Sequence, residues 1–261
     1  LQKLKIKIPS IEAQKKIAAI LSAYDDLIEN NKQRIKLLEN MAEELYKEWF
    51  VRFRFPNWQN TEFEKGIPKI FEVKKISKIY KTASGGTPSR KVDEYFSGDI
   101  NWFKTGELKS LYTFDSEERI SELAVEESAA KILPENTVVI AMYCAMPDIS
   151  ILSKPSCINQ ACCAFLSREN KVSYIYTYFL IKYAQAELIK YAHGAAQQNL
   201  SQELIQNFNI LIAPNDLSNQ FHSIVEPIFE NIKLLNLSNL NLEKQKSSLL
   251  PKLISGKLSV Q

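Results

Sequence analysis

The chain has 261 residues, 45% of them hydrophobic and 24% charged, with a net charge of +3. That composition suits one large folded domain or two smaller ones, and 7 glycines and 10 prolines exclude collagen-like and low-complexity classes. So small a positive excess permits nucleic-acid binding without arguing for it. The four cysteines, Cys144, Cys157, Cys162 and Cys163, make no C-x-x-C pair, and His193 and His222 are the only histidines. The expectation is therefore no metal and buried, reduced thiols in a cytoplasmic protein. No apolar run approaches the roughly 20 residues of a membrane span, so no membrane association is expected. The opening LQKLKIKIPS is unlike a signal peptide, and without an initiator methionine it suggests a processed chain or a fragment.

In the first part, residues 1–55, Leu4, Ile6 and Ile8 alternate with lysines as in a half-buried strand. Pro9 stops that pattern and Ser10 is a plausible helix N-cap. No Gly or Pro follows from Ile11 to Phe50. Apolar residues fall at Ile17, Leu21, Tyr24, Ile28, Ile35, Leu38, Ala42, Leu45 and Trp49, a heptad stripe if Asn31 is counted in it. Some 40 helical residues at ~1.5 Å rise give roughly 60 Å.

The second part, 56–214, carries aromatics, short apolar runs and turn signals at Gly66-Ile-Pro68, Ser84-Gly-Gly-Thr-Pro88 and Ser97-Gly-Asp99. Residues 138–142 and 161–166 read as buried strands, 174–191 as a helix, and Ser201 as the start of a short helix through Gln206. The third part, 215–261, repeats the first. An alternating strand at 208–213 is followed by Pro214 and a long helix expected over about 220–250, with Pro227 near its start and Pro251 beyond its end. Its stripe is Ile224, Ile228, Asn231, Leu235, Leu242 and Leu249, and the phase of residues 28–45 maps onto 232–249. Neither stripe can be buried by its own helix, so the two are expected to pack as an antiparallel coiled coil, the alternative being pairing with a partner chain. The fold class expected is α+β, one mixed α/β domain flanked by two long helices.

The segment Gly85-Gly-Thr-Pro-Ser-Arg90, with Tyr95-Phe96, Gly98, Ile100 and Trp102, resembles the opening of a target recognition domain in type I restriction–modification specificity subunits. Ile158-Asn-Gln160 resembles the Asn-Gln further along such domains. His193-Gly194, Asn199-Leu200, 208–214 and Gln220 resemble their close. The segments 9–49 and 249–258 resemble the family's conserved helix and C-terminus. The resemblance implies a non-catalytic subunit that reads one half of a split double-stranded DNA target. It implies methyltransferase subunits docked on the helices, with restriction subunits able to join. No cofactor is implied on this chain, S-adenosylmethionine belonging to the methyltransferase. A complete subunit has two recognition domains and this sequence has one, so the expectation is an N-terminally truncated chain or a half-subunit that works as a homodimer. The stretch 143–148 also lacks the glycine-containing turn of the family.

Nucleic-acid readers use cations, hydroxyls and backbone amides on phosphates, and planar donors on base edges. Residues 84–91 offer the amides of Gly85 and Gly86, the hydroxyls of Thr87 and Ser89, and the charges of Arg90 and Lys91; Arg90 also suits guanine O6/N7. Gln197, Gln198 and Asn199 carry amides that suit adenine, and Lys104 and Tyr143 lie in neighbouring loops. The plainer readings are a structural Gly-Thr-Pro turn and a polar loop after a helix. Enzyme classes fare worse. No phosphate-binding G-x-x-x-x-G-K-[ST] loop occurs, nor any Pro-Pro of an amino-methyltransferase motif. Asp99 with Glu107 and Lys109 is the sole imitation of a nuclease site. A coiled-coil assembly scaffold whose globular part binds protein is the competing class.

Overall fold

The computed structural model describes residues 10–143, 147–168, 172–194 and 199–255. The strand expected at 4–8 lies outside them. The helices are α1 (Ile11–Tyr46), α2 (Ile76–Ile79), α3 (Glu122–Glu127), α4 (Tyr174–Gly194), α5 (Gln202–Asn207) and α6 (Asn215–Ile254). The strands are β1 (Phe63–Glu64), β2 (Ile67–Pro68), β3 (Glu72–Lys75), β4 (Tyr80–Ser84), β5 (Ile100–Phe103), β6 (Tyr112–Thr113), β7 (Arg119–Ile120), β8 (Val138–Ala141), β9 (Ile149–Leu152), β10 (Cys157–Ile158), β11 (Cys162–Ser167) and β12 (Asn209–Ile212). The class is α+β, as expected. Two compact units result, one from Leu1–Ala42 with Pro227–Gln261 and one from Glu43–Glu226.

In the helical unit α1 and α6 pair within the chain and run antiparallel. Asp25 meets Lys246 and Tyr24 meets Gln245, while Asn31 meets Asn239. Each stripe position of α1 in this unit is buried or half-buried, whereas Leu27, Leu37 and Met41 face outward. The stripe expected on α6 needs correction. Asn231 is exposed and its Nδ2 donates to the carbonyl of Pro227 one turn back at 3.0 Å. The buried asparagine is Asn239, whose Oδ1 accepts from Asn31 Nδ2 at 2.9 Å, with 3% of Asn31 and 7% of Asn239 exposed. That amide–amide bond gives a donor of Asn31 and the acceptor of Asn239 a partner where water is excluded.

Helix α6 also starts earlier and ends later than expected, and contains both prolines. A proline inside a helix costs about 3 kcal/mol, yet burial overrides that here. Leu217, Phe221, Val225, Phe229 and Ile232 are all buried. Pro227 lies on the exposed side of the helix, as does Ser223 one turn before it.

The second unit is built on a five-stranded sheet in the order β4-β11-β8-β9-β6, antiparallel except for β6 beside β9. All four residues of β8 are buried, which explains an apolar run rather than an alternating one. One core cluster holds Phe103, Leu108, Val139, Ala141, Leu152, Cys162 and Ala164. Helix α4 packs on β8 and β9. A second cluster, Tyr95, Trp102, Ile120, Ala124, Ala130 and Cys157, stands beneath the smaller β10-β5-β7 sheet. A third is aromatic. Tyr46 and Phe50 surround themselves with Tyr176, Phe179, Tyr183 and Phe221 at centroid distances of 4.8–6.1 Å. Cys157, Cys162 and Cys163 are buried and not joined in disulfides, and burial pushes the thiols of Cys157 and Cys163 up to about 12. They pack as small hydrophobes; Cys144 lies outside the described residues.

Candidate nucleic-acid interface

The register of the main sheet brings distant loops to one end. Ser84 at the close of β4 is paired with Cys163 near the start of β11, and Cys162 is paired with Ala141 at the close of β8. The loops 85–92, 142–143 and 159–161 therefore leave from the same edge. Leu200 N–H donates to Met142 carbonyl at 3.1 Å and sets Asn199 beside Tyr143. Asn159 N–H donates to Phe103 carbonyl at 2.9 Å and brings Lys104 to the same edge.

The root of the 85–92 loop is fixed. Gly85 N–H is bonded to Cys162 carbonyl and Gly86 N–H to Ile158 carbonyl, the latter at 3.1 Å. Trp102 Nε1 donates to Gly86 carbonyl at 2.9 Å. A Cβ on Gly85 would stand 1.9 Å from Ile158 oxygen, and one on Gly86 would stand 2.3 Å from the Ala129 backbone. Both glycines are thus required by close backbone approach. The expectation that their amides serve phosphates is corrected: those amides are spent inside the fold.

Beyond that root Thr87, Ser89, Arg90 and Lys91 are exposed, and Pro88 is buried. Thr87 Oγ1 donates to the side-chain oxygen of Gln160, and Ser89 Oγ accepts from Lys91 N–H. Arg90 Nη1 donates to Glu118 Oε2 at 2.5 Å, and its guanidinium carbon lies 4.2 Å from the Phe96 ring centroid and 5.5 Å from that of Trp102. Lys104 Nζ donates to Glu117 at 2.9 Å and to the other oxygen of Glu118 at 3.0 Å. The hydrogen bond from Arg90, helped by Lys104, holds the Glu118 carboxyl below the usual carboxylate range, and bonds to Glu117 and Glu118 raise Lys104. Thr87, Ser89, Arg90, Lys91 and Lys104 thus form one group, with Tyr143 and Asn199 across the 159–161 turn. Gln197 and Gln198 lie outside the described residues.

Sequence reasoning missed Glu118 and Gln160 as members of this group. Glu118 is 28 positions from Arg90 and arrives through β5–β7 pairing, where Asn101 is opposite Arg119. No local spacing announces it. Gln160 was visible in the Asn-Gln segment, but without its role. The nuclease imitation dissolves: Asp99 pairs with Arg119, and Glu107 accepts from the amides of Lys104 and Glu117. Among the described residues no group of three or more His, Cys, Asp or Glu could hold a metal ion, and no helix is long and apolar enough to cross a membrane.

The family model described as type I restriction modification DNA specificity domain matches residues 1–40 and 68–244. The chain is 32% identical over 270 residues to the MjaIX specificity subunit of a type I restriction enzyme from Methanocaldococcus jannaschii, covering 100% of this chain and 62% of that one. It is 22% identical to the HindI specificity subunit of Haemophilus influenzae, over 98% of this chain and 69% of the other. In structure it resembles the S subunit of a type I restriction-modification system from M. genitalium, with a TM-score of 0.66 at 16% identity, over 94% of this chain and 61% of that one. The chain therefore spans somewhat under two thirds of the Methanocaldococcus relative's length.

Proposed function

Because the chain belongs to the type I restriction modification DNA specificity family, we propose that it is a non-catalytic reader of double-stranded DNA, recognising one half of a bipartite target. The observation that carries the reading is the convergence of Thr87, Ser89, Arg90, Lys91, Lys104, Tyr143 and Asn199 on one end of the main sheet. Hydroxyls, cations and a planar guanidinium from separate loops are the mixture that backbone contacts and base-edge contacts both need. Gln197 and Gln198 complete the proposed set. The paired helices are the proposed dock for methyltransferase subunits, which bring S-adenosylmethionine, and restriction subunits join that assembly. The work is done in the cytoplasm, where the DNA is.

The test is selection from a random double-stranded DNA library by the purified chain, alone and with its methyltransferase. Enrichment of a defined short motif supports the reading. Capture without any sequence preference, together with methyltransferase binding, would favour the scaffold instead. The solution mass of the same mixtures tells a monomer carrying one methyltransferase from a dimer carrying two.

A further inference from the structure

We propose that Glu118 is a positioning residue that sets the Arg90 guanidinium as a reader of guanine, and that this fixed pair is a specificity determinant of the interface. The inference rests on the DNA-recognition reading above.

Arg90 is constrained in two independent directions. Glu118 Oε2 holds one edge of the guanidinium at 2.5 Å, and the Phe96 ring covers a face at 4.2 Å. An arginine side chain is otherwise rich in rotamers, and a fork fixed beforehand loses less freedom when it binds. It is nonetheless 56% exposed, so the fork is held without being covered. Glu118 is itself immobilised. Its side chain is only 29% exposed and its second oxygen accepts from Lys104. Its carbonyl accepts from Trp102 N–H at 3.2 Å and from the Ser116 hydroxyl at 2.5 Å.

Charge decides what the fork suits. The hydrogen-bonded network joins Glu107, Glu117 and Glu118 to Arg90 and Lys104, three carboxylates against two cations. A phosphate approaching Arg90 meets a network of net negative charge and releases little benefit. Guanine presents O6 and N7, two neutral acceptors spaced for a bidentate arginine, and carries no charge for the carboxylates to repel. Lys91, exposed and outside that network, is the neighbouring cation suited to a phosphate.

The experiment compares the full chain with Arg90→Ala, Glu118→Gln and Lys91→Ala in random-duplex selection, followed by affinity measurements at several salt concentrations. Arg90→Ala should reduce the preference for guanine at one position by roughly 5- to 150-fold, the range of a bidentate pair. Glu118→Gln should relax the same position by about 3- to 10-fold, part of that pair's worth, with the salt dependence unchanged. Lys91→Ala should weaken all sequences alike and reduce the salt slope by about 1. Melting temperatures of all variants are recorded. If Glu118→Gln unfolds, Phe96→Leu replaces it, removing the stacked face but leaving the ion pair, and the same position should relax. An unchanged guanine preference in Glu118→Gln or its substitute overturns the proposal. So does a uniform loss with a smaller salt slope. A wild-type chain that enriches no motif overturns the DNA reading itself, an outcome distinct from a wild-type motif that survives in the variant.

Discussion

The helical unit and the sheet unit are held by different means. In the first, two long helices meet along a narrow seam in which many positions are only half-buried and the middle is a polar pair, Asn31 with Asn239. In the second, whole strands are buried and seven aromatic rings from three segments share one core. A seam made of repeating apolar residues is stable in several registers, and a buried asparagine pair selects one of them at a cost in stability. A core of interlocked rings has one arrangement and needs no such device. Stability should therefore be lost by truncation in the sheet unit and tuned by polarity in the helical one.

The largest effect expected is in the sheet unit. Phe221→Ala removes a fully buried ring touching Tyr46, Trp49, Phe50 and Phe179, and should cost about 3–5 kcal/mol in denaturant unfolding. Gly85→Ala should cost about 1–3 kcal/mol, because the Ile158 backbone must move to admit a methyl group. In the helical unit Asn31→Leu alone should cost about 1–3 kcal/mol by stranding the buried Asn239 amide. Asn31→Leu with Asn239→Leu should instead raise the melting temperature and loosen register, read by cross-linking cysteines placed at matched levels. A double variant less stable than the wild type would remove the asparagine pair as a register device. Asn231→Leu should change stability by no more than ~0.5 kcal/mol, because that side chain faces solvent.

A pH effect separates the units further. Burial pushes the Glu43 carboxyl up, but hydrogen bonds from Lys182 at 2.9 Å and Tyr183 at 2.8 Å outweigh it and hold the carboxyl below the usual range. A carboxyl lowered on folding adds stability that is present at neutral pH, above its unfolded value, and lost as pH falls through its folded value. Glu43→Gln should therefore lower stability at pH 7 by about 0.5–1 kcal/mol, a figure typical of partly exposed pairs, and by less in acid. An equal loss at pH 7 and pH 3 would assign Glu43 a packing role.

What was legible followed period and punctuation. The helices of 11–46 and 174–194, the buried strands β8 and β11, and the antiparallel pairing were all written in spacing. So was the α+β class. The error at Asn231 was one of phase: Ile224, one heptad earlier in the expected stripe, is exposed as well, and the buried positions are Val225 and Ile232. The mapping of 28–45 onto 232–249 places Asn231 opposite Leu27, and both face outward. Pro227 misled for another reason: its local cost is real, and burial of Phe221, Val225 and Phe229 on either side outweighs it. The loop residues were proposed from their chemistry, and their partners within the fold were not visible in it. Glu118 reaches Arg90, and Gln160 reaches Thr87, only through strand pairing that links parts of the chain 28 and 73 positions apart.

The two glycines beneath the 85–92 loop have a consequence for how such a surface changes. Backbone bonds and a tryptophan bolt the loop's base to the sheet, while Ser89, Arg90 and Lys91 stand on it with their side chains in the open. Base and tip answer to different demands. Changes at Ser89 or Lys91 leave the base in place and a change at Arg90 also removes the partner of Glu118, whereas a side chain at Gly85 or Gly86 runs into backbone. The loop behaves as a socket with an exchangeable bit, in which Ser89 and Lys91 are the positions free to change while the base stays in place.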